Sequence, residues 1–228
     1  MSISALIFDL DDTLYDEIDY VYSGFNNVAK KIASDYGLDS EKVNNALTVL
    51  FEQDRRNVFD RLITQLGISC NADYIAEIVA VYRDHRPHIS LRQDARAVLD
   101  YASEAGYKKG LITDGDSKRQ RAKLRALGIE HLFDAIIISG ENPGSVGKPN
   151  TYPYKKCLAL LDVAPDEAVY IADNPAKDFI GAKALGVKTV RFVNERGLYR
   201  YSDVAEDKDA DYVINDLCQL IYIIVNIL

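Results

Sequence analysis

The sequence predicts an α/β fold, in which a parallel sheet has helices on both faces and an all-helical segment is inserted after the first strand. Short apolar, β-branched runs recur along the chain, and the segments between the later runs have the apolar spacing of helices. Strands that alternate with helices are typical of parallel sheets. Residues 15–88 break the alternation, because they contain helical spacing and no convincing strand.

Each predicted strand coincides with one apolar run. The runs lie near residues 4–8, 109–113, 135–138, 168–172, 187–193 and 211–214. The helices between the later runs are expected to end at Gly106, Gly128 and Gly186, since glycine commonly terminates helices. The apolar tail 220–228 is far shorter than the ~20 residues that span a bilayer. We therefore expect a terminal helix packed on the core, with a dimer contact as the alternative.

The inserted segment is expected to form a separate helical domain at 15–88, leaving 1–14 and 89–228 for the α/β core. Apolar residues occur at helical spacing in four groups: Val28, Ile32 and Tyr36; Val43, Leu47 and Leu50; Phe59, Leu62 and Leu66; Ile75, Ile78 and Tyr82. Ser40 is a candidate helix N-cap. Because the insert follows the first strand directly, it could cover a substrate there and exclude water.

Composition limits the possible functions. The chain has 228 residues, of which 48% are hydrophobic, enough for a packed core. Its net charge of −8 argues against an electrostatic hold on nucleic acid or on a membrane surface. Cys70, Cys157 and Cys218 are far apart and are expected to be reduced thiols of a cytoplasmic protein. Acidic residues interrupt the first apolar run, so no secretory signal is expected.

Polar side chains follow four of the apolar regions. They are Asp9 and Asp11, then Thr113 with Asp114 and Gly115, then Lys148, and finally Asp173 with Asp178. Ligands of open parallel sheets bind beyond the carboxyl ends of the strands, so these groups are expected to meet. Carboxylates this close repel one another and usually need a cation or a proton among them. The sequence therefore predicts a metal-assisted active site.

Each of these groups has an ordinary explanation when it is taken alone. Thr113 could cap a strand-to-helix loop, Lys148 could be a solvated loop lysine, and Asp178 could be a charge favoured by a helix N-terminus. Lys155 and Lys156 are nearby alternatives to Lys148. The joint order of the four groups is what favours a site.

The ordered set resembles the haloacid dehalogenase superfamily of phosphohydrolases. Its first motif, Asp-x-Asp-x-Thr after an apolar strand, is present as Asp9-Leu10-Asp11-Asp12-Thr13, and the later motifs match Thr113, Lys148, Asp173 and Asp178. The helical insert is similar to the small mobile cap of that family. The resemblance implies a Rossmann-like core and an enzyme that hydrolyses phosphate esters.

The resemblance also implies roles for individual residues. Asp9 would be the nucleophile that forms an aspartyl-phosphate, and Asp11 would be the general acid and base. Mg²⁺ would be held by Asp9, Asp11 through its backbone carbonyl, and Asp173, with Asp178 in support. Thr113 and Lys148, with the backbone at Asp114 and Gly115, would bind the phosphoryl oxygens.

The substrate is expected to be a small phosphorylated metabolite such as a sugar phosphate or a nucleotide. Arg55 and Arg56 in the insert could bind a second anionic group, and Tyr15, Tyr20 and Tyr22 could stack on a base or sugar of the substrate. The alternative is that the arginines are solvated and that Tyr20 and Tyr22 pack the insert. The protein is expected to act as a monomer or homodimer, with neither nucleic acid nor membrane as a partner.

Rival functions stay open at this level. A phosphomutase would use the same two aspartates and return the phosphoryl group to a bound sugar. A non-catalytic binding module could also have kept the fold. A carbon–halogen hydrolase needs no acid partner for its nucleophile, so the presence of Asp11 counts against that function.

Overall fold

The computed structural model describes residues 2–202, 205 and 208–228. These residues form two compact units. The first comprises the segment up to Glu17 together with Ser90–Leu228, and the second comprises Ile18–Ile89. Each unit has its own hydrophobic core.

The first unit contains a six-stranded parallel sheet, which confirms the predicted α/β class. The strands are β1 (Ala5–Phe8), β2 (Lys108–Thr113), β3 (Ala135–Ile138), β4 (Ala168–Ala172), β5 (Lys188–Phe192) and β6 (Tyr212–Ile214). Their order across the sheet is β3-β2-β1-β4-β5-β6, so β1 and β4 are neighbours at its centre. The strand order reverses between β1 and β4, which is where open sheets of this kind bind ligands.

Helices cover the sheet, and for that reason its central strands are continuous apolar runs. The α-helices that lie wholly within this unit are α5 (Gln93–Glu104), α6 (Ser117–Leu127), α7 (Tyr152–Leu161), α8 (Asp178–Lys183) and α9 (Gln219–Asn226). Every residue of β1 and β4 is buried. A strand covered on both faces shows no alternation of polar and apolar residues. Tyr154 of α7 packs edge-on against Tyr170 of β4, with ring centroids 5.0 Å apart.

The second unit is helical. It contains α1 (Glu17–Tyr36), α2 (Ser40–Gln53), α3 (Val58–Gln65) and α4 (Ala72–Asp84). The first residue of α1, Glu17, still belongs to the first unit. Phe25 of α1 lies at the centre of its core, 5.5 Å from the ring of Phe51 and 6.1 Å from that of Phe59. Because such helices bury only one face, the sequence there repeats its apolar residues at three- and four-residue spacing.

The predicted capping of α2 by Ser40 is wrong by one residue. Asp39 is the N-cap, and its carboxylate accepts hydrogen bonds from the backbone N–H of Glu41 and Lys42. Asp39 has the extended backbone of a capping residue, whereas Ser40 is already helical. Both residue types favour the N-cap, so the sequence alone did not separate them.

The predicted glycines lie at or just beyond the ends of their helices. Gly128 ends α6 with φ of 67°, and its N–H reaches the carbonyl oxygens of Leu124 and Arg125. The terminal helix α9 packs on the core through Leu220, Ile223 and Ile224. Within the described part of the chain, no helix is both long enough and apolar enough to traverse a bilayer.

Candidate active site

The site is built where β1 ends. The backbone N–H of Asp9 continues the sheet by donating to the carbonyl of Ile171 in β4 (2.8 Å). The chain then turns at once, since Asp12 has a left-handed backbone with φ of 54°. The carboxylates of Asp9 and Asp11 consequently have different neighbours.

Asp9 is paired with the predicted lysine. The Lys148 ammonium lies 2.7 Å from Asp9 Oδ1 and 2.7 Å from Asp178 Oδ1, and it donates to the Tyr170 hydroxyl at 3.0 Å. The Lys148 side chain has no exposed surface. Burial alone would lower the pKa of Lys148, but Asp178 and Asp9 outweigh it and raise the pKa well above its ordinary value. Lys148, not Lys155 or Lys156, is therefore the lysine that reaches Asp9.

Three buried carboxylates meet at this point. Asp9, Asp173 and Asp178 each offer an oxygen within 4.8 Å of the others. Burial raises the pKa of Asp9 to about 6 against the opposing charge of Lys148. The pKa of Asp173 is raised well above its ordinary value by burial and by the charges of Asp9 and Asp178. Such crowding favours either a proton or a bound cation.

The cluster fits a hard divalent cation such as Mg²⁺. Its donors are carboxylate oxygens, which are the ligands that Mg²⁺ and Ca²⁺ prefer. Asp178 already has partners, because its Oδ2 accepts the backbone N–H of Asn174 at 2.9 Å and its Oδ1 pairs with Lys148. Asp9 and Asp173 are therefore better suited to a metal, and Asp178 is better suited to holding Lys148 and the turn after β4.

The segment after β2 packs tightly against the loop that carries Lys148. Asp114 Oδ1 accepts the backbone N–H of Lys148 at 3.2 Å, and the backbone N–H of Gly115 donates to Ser139 Oγ at 2.9 Å. A Cβ at Gly147 would lie 2.3 Å from Asp114 Oδ1, so only glycine fits there. Of the predicted cradle residues, Asp114 thus contacts Lys148 directly, and Thr113 and Gly115 are its neighbours in the chain.

Asp11 is held by Tyr15 and by two residues that the sequence reasoning missed, Gln120 and Lys123. Lys123 of α6 donates to Asp11 Oδ1 at 2.6 Å, Gln120 donates to Asp11 Oδ2 at 3.0 Å, and the Tyr15 hydroxyl donates to Oδ1. Gln120 also donates to the Thr113 hydroxyl. Burial would raise the pKa of Asp11, but Lys123 and these hydrogen bonds lower it below its ordinary value.

The sequence did contain a signal for Gln120 and Lys123. Gln120 and Lys123 occupy the same face of α6 as the buried Leu124 and Leu127, at helical spacing. A lysine and a glutamine on an apolar face need buried partners, because unpaired polar groups there are costly. Their position on the face that packs on the core could therefore have marked them.

The predicted anion-binding arginines belong to the second unit. Arg56 pairs with Asp54 at 2.8 Å and is 85% exposed, while the Arg55 guanidinium lies 5.1 Å from the centre of the Phe51 ring. Tyr20 packs against Tyr82 and His85 within that unit. A substrate-binding role for Arg55 and Arg56 stays a prediction.

Known proteins match both the sequence and the fold. The sequence model of the family described as haloacid dehalogenase-like hydrolase matches residues 6–192, a span that contains the four groups around Asp9. The chain belongs to this family. It is accordingly an enzyme of the hydrolase class.

Individual relatives cover nearly the whole chain. It is 32% identical to a glyceraldehyde 3-phosphate phosphatase of Pyrococcus furiosus, over 97% of this chain and 93% of that protein. It is 31% identical to an enzyme of the same name from Methanocaldococcus jannaschii, over 99% of this chain and 98% of that protein. A solved structure of a HAD phosphatase from Thermococcus onnurineus has the same fold, with a TM-score of 0.63, 23% identity and 98% of each chain covered.

Proposed function

We propose that the protein is a magnesium-dependent phosphomonoesterase that hydrolyses a small phosphorylated metabolite through an aspartyl-phosphate on Asp9. The observation that carries this proposal is the environment of Asp9. Its carboxylate is buried, is paired at 2.7 Å with an ammonium that has no exposed surface, and lies within 4.8 Å of two further carboxylates. An aspartate in such a setting is suited to nucleophilic catalysis once a phosphate and a cation neutralise the site.

Asp9 would attack phosphorus through Oδ2, because Oδ1 is engaged by Lys148. The ester oxygen would leave as the bond from Asp9 to phosphorus forms. Lys148 fixes the nucleophile in a buried pocket, where a charge–charge contact is stronger than in water. Thr113 is the predicted contact for the phosphoryl oxygens.

Asp11 is proposed to be the general acid and base. It would protonate the leaving oxygen and then take a proton from the water that hydrolyses the intermediate. The first step uses the protonated form of Asp11, which must be formed in the complex with the substrate. The second step uses the ionised form, which Lys123, Gln120 and Tyr15 favour. These three residues also hold the carboxylate in one orientation.

Mg²⁺ would be held by Asp9, Asp173 and the backbone carbonyl of Asp11, with Asp178 in support. When bound, the ion would neutralise negative charge on the phosphoryl group. The raised pKa values of Asp9 and Asp173 support this assignment, since a cation among them replaces the proton that their mutual repulsion favours.

The second unit is proposed to act as the cap over the substrate, corresponding to the predicted division at residues 15–88. Arg55 and Arg56 would then bind a second anionic group. The substrates named for the relatives suggest that it is a phosphorylated metabolite of low molecular mass. Three free cysteines support a reducing compartment such as the cytoplasm.

The test is phosphate release from a panel of monoesters, with Mg²⁺ and with EDTA. The panel contains glyceraldehyde 3-phosphate, phosphoserine, N-acylneuraminate 9-phosphate, hexose phosphates and nucleoside monophosphates. Release of inorganic phosphate from a single monoester supports a phosphatase over a phosphomutase. No turnover of any ester with Mg²⁺ would favour the binding-module alternative.

Asp9→Asn should abolish hydrolysis and leave the fold intact. The substitution removes the attacking oxygen anion and keeps the shape of the side chain. We expect loss of phosphate release by more than about 10³-fold, as for removal of a nucleophile, with a far-UV circular dichroism spectrum like that of the wild type. Comparable hydrolysis by the two proteins would contradict the role given to Asp9.

A further inference from the structure

The Lys148 ammonium is surrounded by protein oxygen atoms. An ammonium group has three N–H donors. Three oxygen atoms lie within 3.0 Å of the Lys148 nitrogen, from Asp9, Asp178 and Tyr170. With these three contacts and no exposed surface, Lys148 holds Asp9, Asp178 and Tyr170 in position.

The charges around Asp9 leave nothing to attract a phosphate dianion. When all three acids are ionised, Asp9, Asp173 and Asp178 carry three negative charges, and Lys148 supplies one positive charge. A divalent cation would bring that sum to zero. Lys123 is committed to Asp11 at 2.6 Å and is itself buried. A further cation is needed to give the site a net attraction for phosphate.

Lys177 is the candidate for that cation. It lies in the turn between β4 and α8, next to Asp178, with 36% of its side chain exposed. Its ion pair among the described residues is with Asp114 Oδ2, and the distance of 3.5 Å is longer than a strong charged hydrogen bond. The Lys177 ammonium is thus both accessible and loosely held.

The ion pair with Asp114 orients the Lys177 side chain. Asp114 directly follows Thr113 of β2, and its Oδ1 accepts the backbone N–H of Lys148. The Lys177 ammonium therefore reaches from the turn after β4 toward the segment after β2, where the phosphoryl group is proposed to bind. From this position the ammonium can leave the Asp114 carboxylate and bind a phosphate oxygen instead.

We propose that Lys177 binds the phosphate of the substrate, exchanging its contact with Asp114 for one with a phosphoryl oxygen, while Lys148 orients Asp9 and Asp178. The inference rests on the proposed function and adds to it a second lysine that sets affinity for phosphate. It assigns to the residue before Asp178 a role that the motif match does not include.

The test compares Lys177→Met with the wild-type enzyme in the presence of Mg²⁺. Inorganic phosphate is the probe, measured by calorimetric titration and as an inhibitor of p-nitrophenyl phosphate hydrolysis. Loss of a charged hydrogen bond predicts phosphate binding weaker by about tenfold or more. KM should rise by about tenfold, and kcat should change by less than about threefold in either direction. The contact stabilises the ground state and the transition state equally, so its loss weakens binding and leaves the chemical step nearly unchanged.

Two variants serve as controls. Lys177→Arg keeps the charge and should restore most of the phosphate affinity. Lys188→Met removes an exposed lysine at the amino end of β5, the opposite end of the strands from the site, and should bind phosphate like the wild type. Thermal unfolding of each variant reports whether the fold is kept.

The outcomes separate this inference from the proposed function. If the wild type hydrolyses monoesters and Lys177→Met binds phosphate equally well, the role of Lys177 is wrong and the phosphatase proposal stands. A loss of affinity shared equally by Lys188→Met would also overturn it, because the effect would then be one of overall charge. A wild type that neither binds phosphate nor hydrolyses any ester overturns both.

Discussion

Asp9 and Asp11 are two positions apart, yet their carboxylates lie in opposite electrostatic settings. Burial raises the pKa of Asp9 to about 6. Lys123 and the hydrogen bonds from Tyr15 and Gln120 lower that of Asp11 despite its burial. Two acids whose environments push their pKa values apart can take different roles. Here the raised pKa belongs to the proposed nucleophile Asp9, so Asp9 needs a bound cation beside it to be fully ionised.

Glu17 provides a pH-dependent test at the level of one residue. Burial and the charge of Asp11 raise its pKa from 4.5 to about 7. Between these values the folded protein keeps a proton that the unfolded chain has lost. Stability therefore falls as pH rises through this window, and the full cost is present above pH 7.

Glu17→Gln removes this ionisation. We expect the variant to match the wild type in free energy of unfolding near pH 4 and to exceed it near pH 8, as measured by urea denaturation across that range. Glu104→Gln, which changes an exposed residue at the end of α5, is the control and should show no such divergence. Parallel curves for Glu17→Gln and the wild type would contradict the prediction.

Among the structural elements, α8 and the loop that carries Lys148 depend on a close contact. A Cβ at Gly181 of α8 would lie 2.4 Å from the carbonyl oxygen of Pro149 and 2.8 Å from Cε2 of Tyr154. Pro149 directly follows Lys148, so this contact sets the position of the loop. Only a residue without a side chain allows α8 to approach that far.

Gly181→Ala should therefore lower both stability and activity. Overpacking of this kind typically costs about 1–3 kcal/mol, and displacement of the loop should move Lys148 away from Asp9 and reduce kcat. Urea unfolding and steady-state kinetics measure the two effects. Ile180→Ala, at an exposed position of the same helix, should change stability by no more than about 0.5 kcal/mol; an equal loss in both variants would count against the contact.

For the whole molecule, the buried acids couple metal binding to stability. Asp9, Asp173 and Asp178 repel one another in the folded chain, and this repulsion largely disappears when the chain unfolds. A cation that binds only the folded form stabilises it by about 2.7 kcal/mol at a concentration one hundred times its Kd. The unfolding temperature is therefore expected to depend on Mg²⁺.

Mg²⁺ should raise the thermal unfolding temperature of the wild type, and EDTA should reverse the shift. Asp173→Asn removes one proposed ligand and should diminish the shift measured by scanning calorimetry. Asp166→Asn changes an exposed acid before the amino end of β4 and should keep it. An unfolding temperature that does not respond to Mg²⁺ in the wild type would be evidence against the metal site.

Much of this protein is determined by its sequence, because the governing interactions are local. A strand buried on both faces must be apolar throughout, so β1 and β4 were readable as short runs. Parallel strands align their carboxyl ends, so the acids that follow β1 and β4 were expected to meet. The helical character of Ile18–Ile89 followed from spacing in the same way.

Only the tertiary structure shows which lysine pairs with which aspartate. Lys123 lies 112 positions from Asp11, and no local pattern records that they touch. The three contacts of the Lys148 ammonium and the accessibility of Lys177 likewise depend on how separate elements pack. Periodicity reports which face of an element is buried, whereas the charge balance of a site is a sum over groups brought together by folding, so it exists only in three dimensions.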